Sequence, residues 1–431
     1  MPSNCFFEFD RPDLIFYSGE TINGRITLIT TSEKSVNLVY VLFEGEAKVH
    51  WGESRTSTVN GQTQQYTQHF RGKQTYVTTR TNVFGSGSFP AGTHTYSFSI
   101  PLPPDCPSSV VGQYGKISYE ISLVVDRHWR FNNVFKKSLT VLQAYNLNMS
   151  PQLMIPLMRE DIKHFCCWPC RSGPVLSTLT IPFGGYAPGQ RIRFTLEIDN
   201  QSSSYDLDDI EVKLKQIYTF QAQAPRKKTR EKEHSLSQSC QEERVLRLSK
   251  KLINYTLAIP SVPPSTRTQD HIITVSYRVI VSLKMGRFHV DSDLAVPIVI
   301  GTIPLVQSTE NPSRAAEWTP ETPNTPAGAA ADLPPSYEKC KPPTFEEATN
   351  FGERFIDIDA DEHNRTDDFI PRYPMYTDFA MPSAPPHPGE ASSYPHRHVP
   401  VLSLPYNTTS PPNEGSSTNR FAPSYGWNSH S

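Results

Sequence analysis

Apolar and polar positions alternate in short runs from Cys5 to about Ile300, with a period near two wherever a pattern is visible. Arg25-Ile26-Thr27-Leu28-Ile29 and Val36-Asn37-Leu38-Val39-Tyr40-Val41-Leu42-Phe43 are rich in β-branched and aromatic side chains, which fit a pleated, half-buried surface. Turn-forming groups interrupt the runs at Ser18-Gly19, Asn60-Gly61, Gly85-Ser86-Gly87 and Ala91-Gly92, with Asn23-Gly24 as a weaker break. No long segment carries a 3.6-residue period. Short strands with frequent turns predict an all-β sandwich.

Three short patterns then occur twice, in the same order. Tyr17-Ser18-Gly19-Glu20-Thr21-Ile22 returns as Ala187-Pro188-Gly189-Gln190-Arg191-Ile192. Tyr96-Ser97-Phe98-Ser99-Ile100-Pro101 returns as Tyr255-Thr256-Leu257-Ala258-Ile259-Pro260, each followed by a Pro-Pro pair. Ile117-Ser118-Tyr119-Glu120-Ile121 returns as Val275-Ser276-Tyr277-Arg278-Val279. The offsets of 170, 159 and 158 residues are too consistent for chance. They predict two homologous β-sandwiches of about 140 residues each, a usual domain size. The boundary falls between Leu142 and Pro174.

These residues also resemble the alpha-arrestin family. The Tyr-x-Gly-Glu box, the Ser99-Ile100-Pro101-Leu102-Pro103-Pro104 segment and the Ile117–Ile121 strand are similar to its N-terminal domain. Cys166-Cys167-Trp168-Pro169-Cys170-Arg171-Ser172-Gly173-Pro174 resembles the start of its second domain, and Pro297 to Leu305 its end. One departure is Pro182-Phe183-Gly184-Gly185, where the family pattern has a basic residue before the Gly-Tyr pair. The resemblance implies two tandem arrestin-like, immunoglobulin-type β-sandwiches followed by a disordered Pro-rich tail. Its expected divisions are an N-terminal domain at 5–145, a linker at 146–173, a C-terminal domain at 174–305 and a tail at 306–431.

Composition changes this picture mainly at its C-terminal end. Roughly half of the 39 prolines fall after Gly301, among Ser, Thr and Ala and few branched aliphatics. Such a segment cannot bury enough apolar surface to offset its ordering entropy, so Gly301 reads as the end of the folded part. Lys plus Arg total 41 against 43 for Asp plus Glu, giving no bulk attraction to nucleic acid or an anionic membrane. The seven cysteines are irregularly spaced and form no disulfide framework. Met1 to Asp10 has no signal-peptide pattern. Leu294 to Val306, the longest apolar stretch, is too short to span a bilayer. The expectation is a cytoplasmic protein with peripheral membrane association only.

The sharpest motif lies in the tail: Leu333-Pro334-Pro335-Ser336-Tyr337-Glu338. Pro334 and Pro335 preset the polyproline II conformation and fit an aromatic groove, and Tyr337 fills a neighbouring pocket, as WW domains require. Pro342-Pro343-Thr344-Phe345 reads either as a weaker second box, its Phe345 lacking the hydroxyl, or as plain tail. Pro382-Ser383-Ala384-Pro385 matches the peptide that ESCRT-I takes up through its UEV domain. Thr319, Thr322 and Thr325 each precede a proline, as in proline-directed phosphorylation sites or an ordinary linker. Tyr376-Thr377-Asp378-Phe379 fits a tyrosine-based sorting signal, and Phe355-Ile356-Asp357-Ile358-Asp359 a clathrin box, both short enough to arise by chance.

Other candidates have plainer explanations. Cys167-x-x-Cys170, beside His164 and Cys166, lacks the second ligand pair of a structural zinc site, and its thiols could alternatively be acylated. Arg226-Lys227-Lys228-Thr229-Arg230 reads as a phospholipid contact or a solvated loop. Cys240 is an isolated thiol with nothing nearby to activate it for redox sensing. No H-E-x-x-H helix, phosphate-cradling loop or G-x-S-x-G elbow is present, so no catalytic residue, metal ligand or cofactor is expected. The resemblance implies an adaptor that recruits WW-domain HECT-type ubiquitin ligases to receptor or transporter cargo at the plasma membrane and endosomes. The alternative is a retromer-like coat subunit without a ligase; the Pro-Pro-x-Tyr box separates the two.

Overall fold

Buried and exposed side chains alternate along most strands, which is how a sheet with one face on a core reads in sequence. The computed structural model describes residues 3–59, 62–128, 131–164, 166–167, 170–171, 173–203, 205–241, 244–284, 292–310, 340–341 and 369–376. The first part contains β1 (Ser3–Phe9), β2 (Ile15–Tyr17), β3 (Thr21–Thr30), β4 (Lys34–Val36), β5 (Leu38–Val59), β6 (Gln62–Phe84), β7 (Gly87–Phe89), β8 (Gly92–Pro101), β9 (Val110–Gly112), β10 (Gly115–Asp126) and β11 (Asn133–Leu142). One sheet has the order β1-β3-β8 and the other β2-β11-β10-β5-β6, with β9 added beside β10. Two 3-10 turns, Leu147–Met149 and Pro151–Met154, lead into the second part.

There β12 (Leu157–Lys163), β13 (Cys166–Cys167), β14 (Cys170–Arg171), β15 (Val175–Ile181), β16 (Gly185–Tyr186), β17 (Arg191–Asn200), β18 (Asp209–Ala222), β19 (Lys228–Gln241), β20 (Ser249–Ala258), β21 (Ile273–Lys284) and β22 (Ser292–Ile300) follow. The sheets are β12-β15-β17-β20 and β16-β22-β21-β18-β19, with a short helix α1 at Val306–Glu310 beyond them. Among these strands pairing is antiparallel except where β2 joins β11 and β16 joins β22. Buried side chains of both sandwiches, among them Phe43, Phe70, Tyr119, Phe220 and Tyr277, belong to one contiguous cluster. The expected pair of arrestin-like β-sandwiches is the architecture observed.

Each repeated sequence does the same structural work twice. In the first, Glu20 N–H donates to Tyr17 O (3.0 Å) and Gln190 N–H to Ala187 O (3.1 Å), closing equivalent turns. The Glu20 and Gln190 side chains reach back to accept from Tyr17 N–H (2.9 Å) and Ala187 N–H (2.7 Å). Gly19 and Gly189 hold the turns at φ 86° and 93°, a left-handed backbone where a side chain is costly. In the third pattern, the buried Tyr119 hydroxyl donates to Pro107 O (2.7 Å) and the Tyr277 hydroxyl to Pro263 O (2.5 Å). The tyrosines thereby pin the Pro-Pro loops that end the second pattern. Behind them Ser109 bonds both ways with Val141, and Ser265 does so with Ile300.

Four expectations are corrected by the structure. Asn23-Gly24 is no break but lies inside β3, where a Cβ at Gly24 would collide with the Glu8 carbonyl and the Phe98 ring; close packing, not turning, requires the glycine. The Val36–Phe43 run divides at Asn37, between β4 and β5. The stretch 146–173, expected as linker, supplies β12, which pairs with β15 along its whole length. Finally, Gly301 does not end the fold: Ile303 and Leu305 are buried, and residues 369–376 pack against the body.

Candidate functional site

The two sandwiches meet along a seam built from three parts of the chain. The long hairpin of β5 and β6 supplies the first. Arg71 N–H donates to Ala224 O (2.9 Å), while Gln223 and Ala224 N–H both donate to Arg71 O. The Gln74 amide donates to Asp270 O (3.1 Å) and its oxygen accepts from Ile272 N–H (2.9 Å). Trp51 stacks on Phe70 with centroids 5.5 Å apart, and its indole N–H donates to Glu53 (3.1 Å). Glu53 in turn takes Lys228 Nζ from the second sandwich at 2.6 Å. The hydrogen bond from Lys228 is the main cause that holds the Glu53 carboxyl below its ordinary pKa.

The basic cluster is therefore used internally at two of its four cations. Lys228 also lies 5.0 Å from the Phe70 centroid, and the Arg230 guanidinium 4.0 Å from that of Tyr114. Both belong to β19 rather than to a loop. Arg226 and Lys227 are exposed. Residues 143–148 are the second part: Tyr145 N–H donates to Thr302 Oγ1 (2.8 Å), Thr302 N–H to Tyr145 O (3.0 Å), and the Gln143 side chain accepts from Arg267 N–H (3.2 Å).

The third part is Phe369–Tyr376, a stretch of the tail expected to be disordered. Pro371 is buried. Tyr373 packs on Ile15, Tyr17 and Leu142, and its hydroxyl donates to Ser109 O (3.0 Å) in the first sandwich. Its carbonyl accepts from Ser261 Oγ (2.6 Å) in the second. Tyr376 donates through its amide to Pro188 O and through its hydroxyl to Thr302 O, each at 3.0 Å. Composition missed this segment because its signal is local: five apolar or aromatic side chains in eight residues, within a long tail dominated by Pro, Ser, Thr and Ala.

Other predicted candidates fall as follows. Pro334, Pro335, Tyr337, Pro342, Pro343 and Phe345 lie outside the described residues, as do Pro382, Ser383, Ala384 and Pro385. So do Thr319, Thr322, Thr325 and the 355–359 stretch. Tyr376 of the sorting-signal match is seated as above. Cys167 and Cys170 are backbone partners in the register of the β13–β14 hairpin, so this Cys-x-x-Cys does not open a helix. Cys240 lies on β19 opposite Glu211. Among the described residues, no three His, Cys, Asp or Glu side chains are grouped to hold a metal ion, and no helix is long and apolar enough to cross a membrane. Cys106 is buried, and that burial pushes its thiol up to about 11.

Residues 5–148 match the family model for the "Arrestin (or S-antigen), N-terminal domain", and residues 171–305 match that for the C-terminal domain. The chain is 26% identical over 340 residues to Arrestin domain-containing protein 17 of Caenorhabditis elegans, covering 77% of this chain and 78% of that one. Human Arrestin domain-containing protein 1 is 25% identical over 346 residues, covering 78% and 73%. Human Arrestin domain-containing protein 4 is 26% identical over 300 residues, covering 67% and 68%.

The chain belongs to the alpha-arrestin family. For this alpha-arrestin the seam is thus the junction of the two arrestin domains, and Phe369–Tyr376 is a piece of the alpha-arrestin tail lying across it. Family membership carries the general role of a trafficking adaptor.

Proposed function

We propose that this alpha-arrestin recruits WW-domain HECT-type ubiquitin ligases to membrane receptor or transporter cargo, for ubiquitylation, endocytosis and sorting. The reading is carried by one juxtaposition: Pro334-Pro335-Ser336-Tyr337 follows a tandem arrestin pair on the same chain. Two prolines and a tyrosine at this spacing suit a WW groove because the ridge is preformed and little entropy is lost on docking. Pro342, Pro343 and Phe345 add a second, hydroxyl-less ring for a neighbouring WW domain. The role is linkage. Cargo on the folded part and ligase on the tail are held by one covalent chain, so the ligase reaches an effective concentration near its substrate that free diffusion does not give. The adaptor works from the cytoplasm at plasma and endosomal membranes.

Pro382-Ser383-Ala384-Pro385 extends the proposal to ESCRT-I, which would pass ubiquitylated cargo onward. Proximity labelling in cells tests the main reading. The wild-type chain labels HECT-type ligases, and Tyr337→Ala removes them while cargo labelling persists. Unchanged ligase labelling in the variant would count against the assignment. Pro385→Ala should separately abolish capture of the UEV domain in a pull-down.

A further inference from the structure

Phe369–Tyr376 sits in a site shaped for it. Pro371 and Pro374 flank Tyr373 and keep the peptide extended, with little conformational freedom left to lose on docking. The Tyr373 ring enters the apolar hollow of Ile15, Tyr17 and Leu142. Its hydroxyl and carbonyl bond to opposite sandwiches, through Ser109 O and Ser261 Oγ. The Arg372 amide finds Thr140 Oγ1 at 3.2 Å. At the far end, a Cβ on Gly189 would collide with the Tyr376 carbonyl, so the repeated turn of the second sandwich leaves room for the peptide. Among the described residues the equivalent Gly19 turn meets Pro104 instead, at 3.8 Å.

The seated peptide has a second partner. Met375–Tyr376 forms a strand, β24, paired antiparallel with β23 at Cys340–Lys341, in the register Cys340↔Tyr376 and Lys341↔Met375. Cys340 and Lys341 separate the two Pro-Pro boxes: Tyr337 lies three residues before, and Pro342 follows directly. Extended chain spans at most about 3.6 Å per residue, so Tyr337 is within about 11 Å of chain from the ladder. A folded WW domain is wider than that gap. A two-residue ladder is too short to persist alone, so it depends on the seating of the peptide.

We propose that Phe369–Tyr376 is a strap that occupies a peptide site at the domain seam and, through its pairing with Cys340–Lys341, couples that site to WW-domain binding at the Pro-Pro boxes. The coupling, though not the strap, rests on the WW reading above. A WW domain engaged at the boxes competes with β23, and loss of β23 loosens the strap. By thermodynamic reciprocity the seated strap weakens WW binding by the same factor as WW binding weakens the strap.

Hydrogen exchange and calorimetry on the full chain test both halves. The Arg372 and Tyr376 amides should be protected in the wild type. Tyr373→Ala should expose them while the amides of β10 and β21 stay protected, which shows that the sandwiches remain folded. Tyr376→Phe, which removes one hydroxyl only, should give a smaller change in the same direction. A tandem WW module should bind the wild-type chain about tenfold more weakly than it binds a free peptide of residues 330–350, as for a site open roughly a tenth of the time. The Tyr373→Ala chain should match the peptide. Saturating WW module should raise exchange at Arg372 and Tyr376 in the wild type. Unprotected strap amides in the wild type overturn the strap. Equal WW affinity for wild type and Tyr373→Ala overturns the coupling. If the 330–350 peptide itself fails to bind, the WW reading falls and the coupling with it, and the amide protection alone decides the strap.

Discussion

Tyr119 and Tyr277 occupy the same place in the two repeats, and each spends its hydroxyl on a proline carbonyl inside the core. Proline lacks a backbone N–H, so the loops that carry Pro107 and Pro263 have fewer donors to hold them. A buried phenol supplies the missing anchor. Tyr277→Phe should leave Pro263 O and the Gln216 amide without their bonds, costing about 1–3 kcal/mol in chemical denaturation. An unchanged midpoint would mean that the loop holds itself. The pairing was legible as a repeated tyrosine, but its partner was not, because a hydroxyl-to-carbonyl contact leaves no periodic trace. Cys106 behaves as a buried hydrophobe: burial raises its pKa to about 11, so at pH 8 almost none is thiolate. Iodoacetamide at that pH should leave it unmodified by mass spectrometry until denaturant is added.

At the scale of elements, β-strand periodicity and turn glycines made the sandwiches readable, since each sheet has one face on the core. The seam between them was harder to read because its contacts have no period. Lys228 and Arg230 look like surface charge in sequence and become interdomain contacts only when the β5–β6 hairpin is folded beside β19. The hairpin's role predicts a pH effect. Lys228 depresses the folded-state pKa of Glu53, so the stabilisation from this pair is present above the unfolded carboxylate value and is lost as pH falls through the folded one. Lys228→Met should therefore lower interdomain stability near neutral pH and flatten its fall in acid, read by exchange of the Arg71 and Ala224 amides. An unchanged acid profile would remove Glu53–Lys228 from the seam's stability.

Over the whole molecule, the tandem repeat carried the fold, and the short tail motifs carry the proposed ligase recruitment. The strap at Phe369–Tyr376 escaped composition because eight residues hardly move the average of a long Pro-rich tail. Its Tyr-Pro-Met-Tyr core reads as structure only once the seam that receives it is known. The adaptor account needs the folded pair and the ligase box to act through one chain, and the box is its decisive part. The most direct measurement is calorimetric titration of a WW domain from a HECT-type ligase with tail peptides spanning the two boxes. The account predicts saturable binding that Tyr337→Ala removes, with Phe345→Ala weakening only a tandem WW module. Absence of binding by the wild-type peptide up to about 1 mM, a free energy weaker than about −4 kcal/mol, would contradict the ligase-adaptor account and leave the coat-subunit alternative in its place.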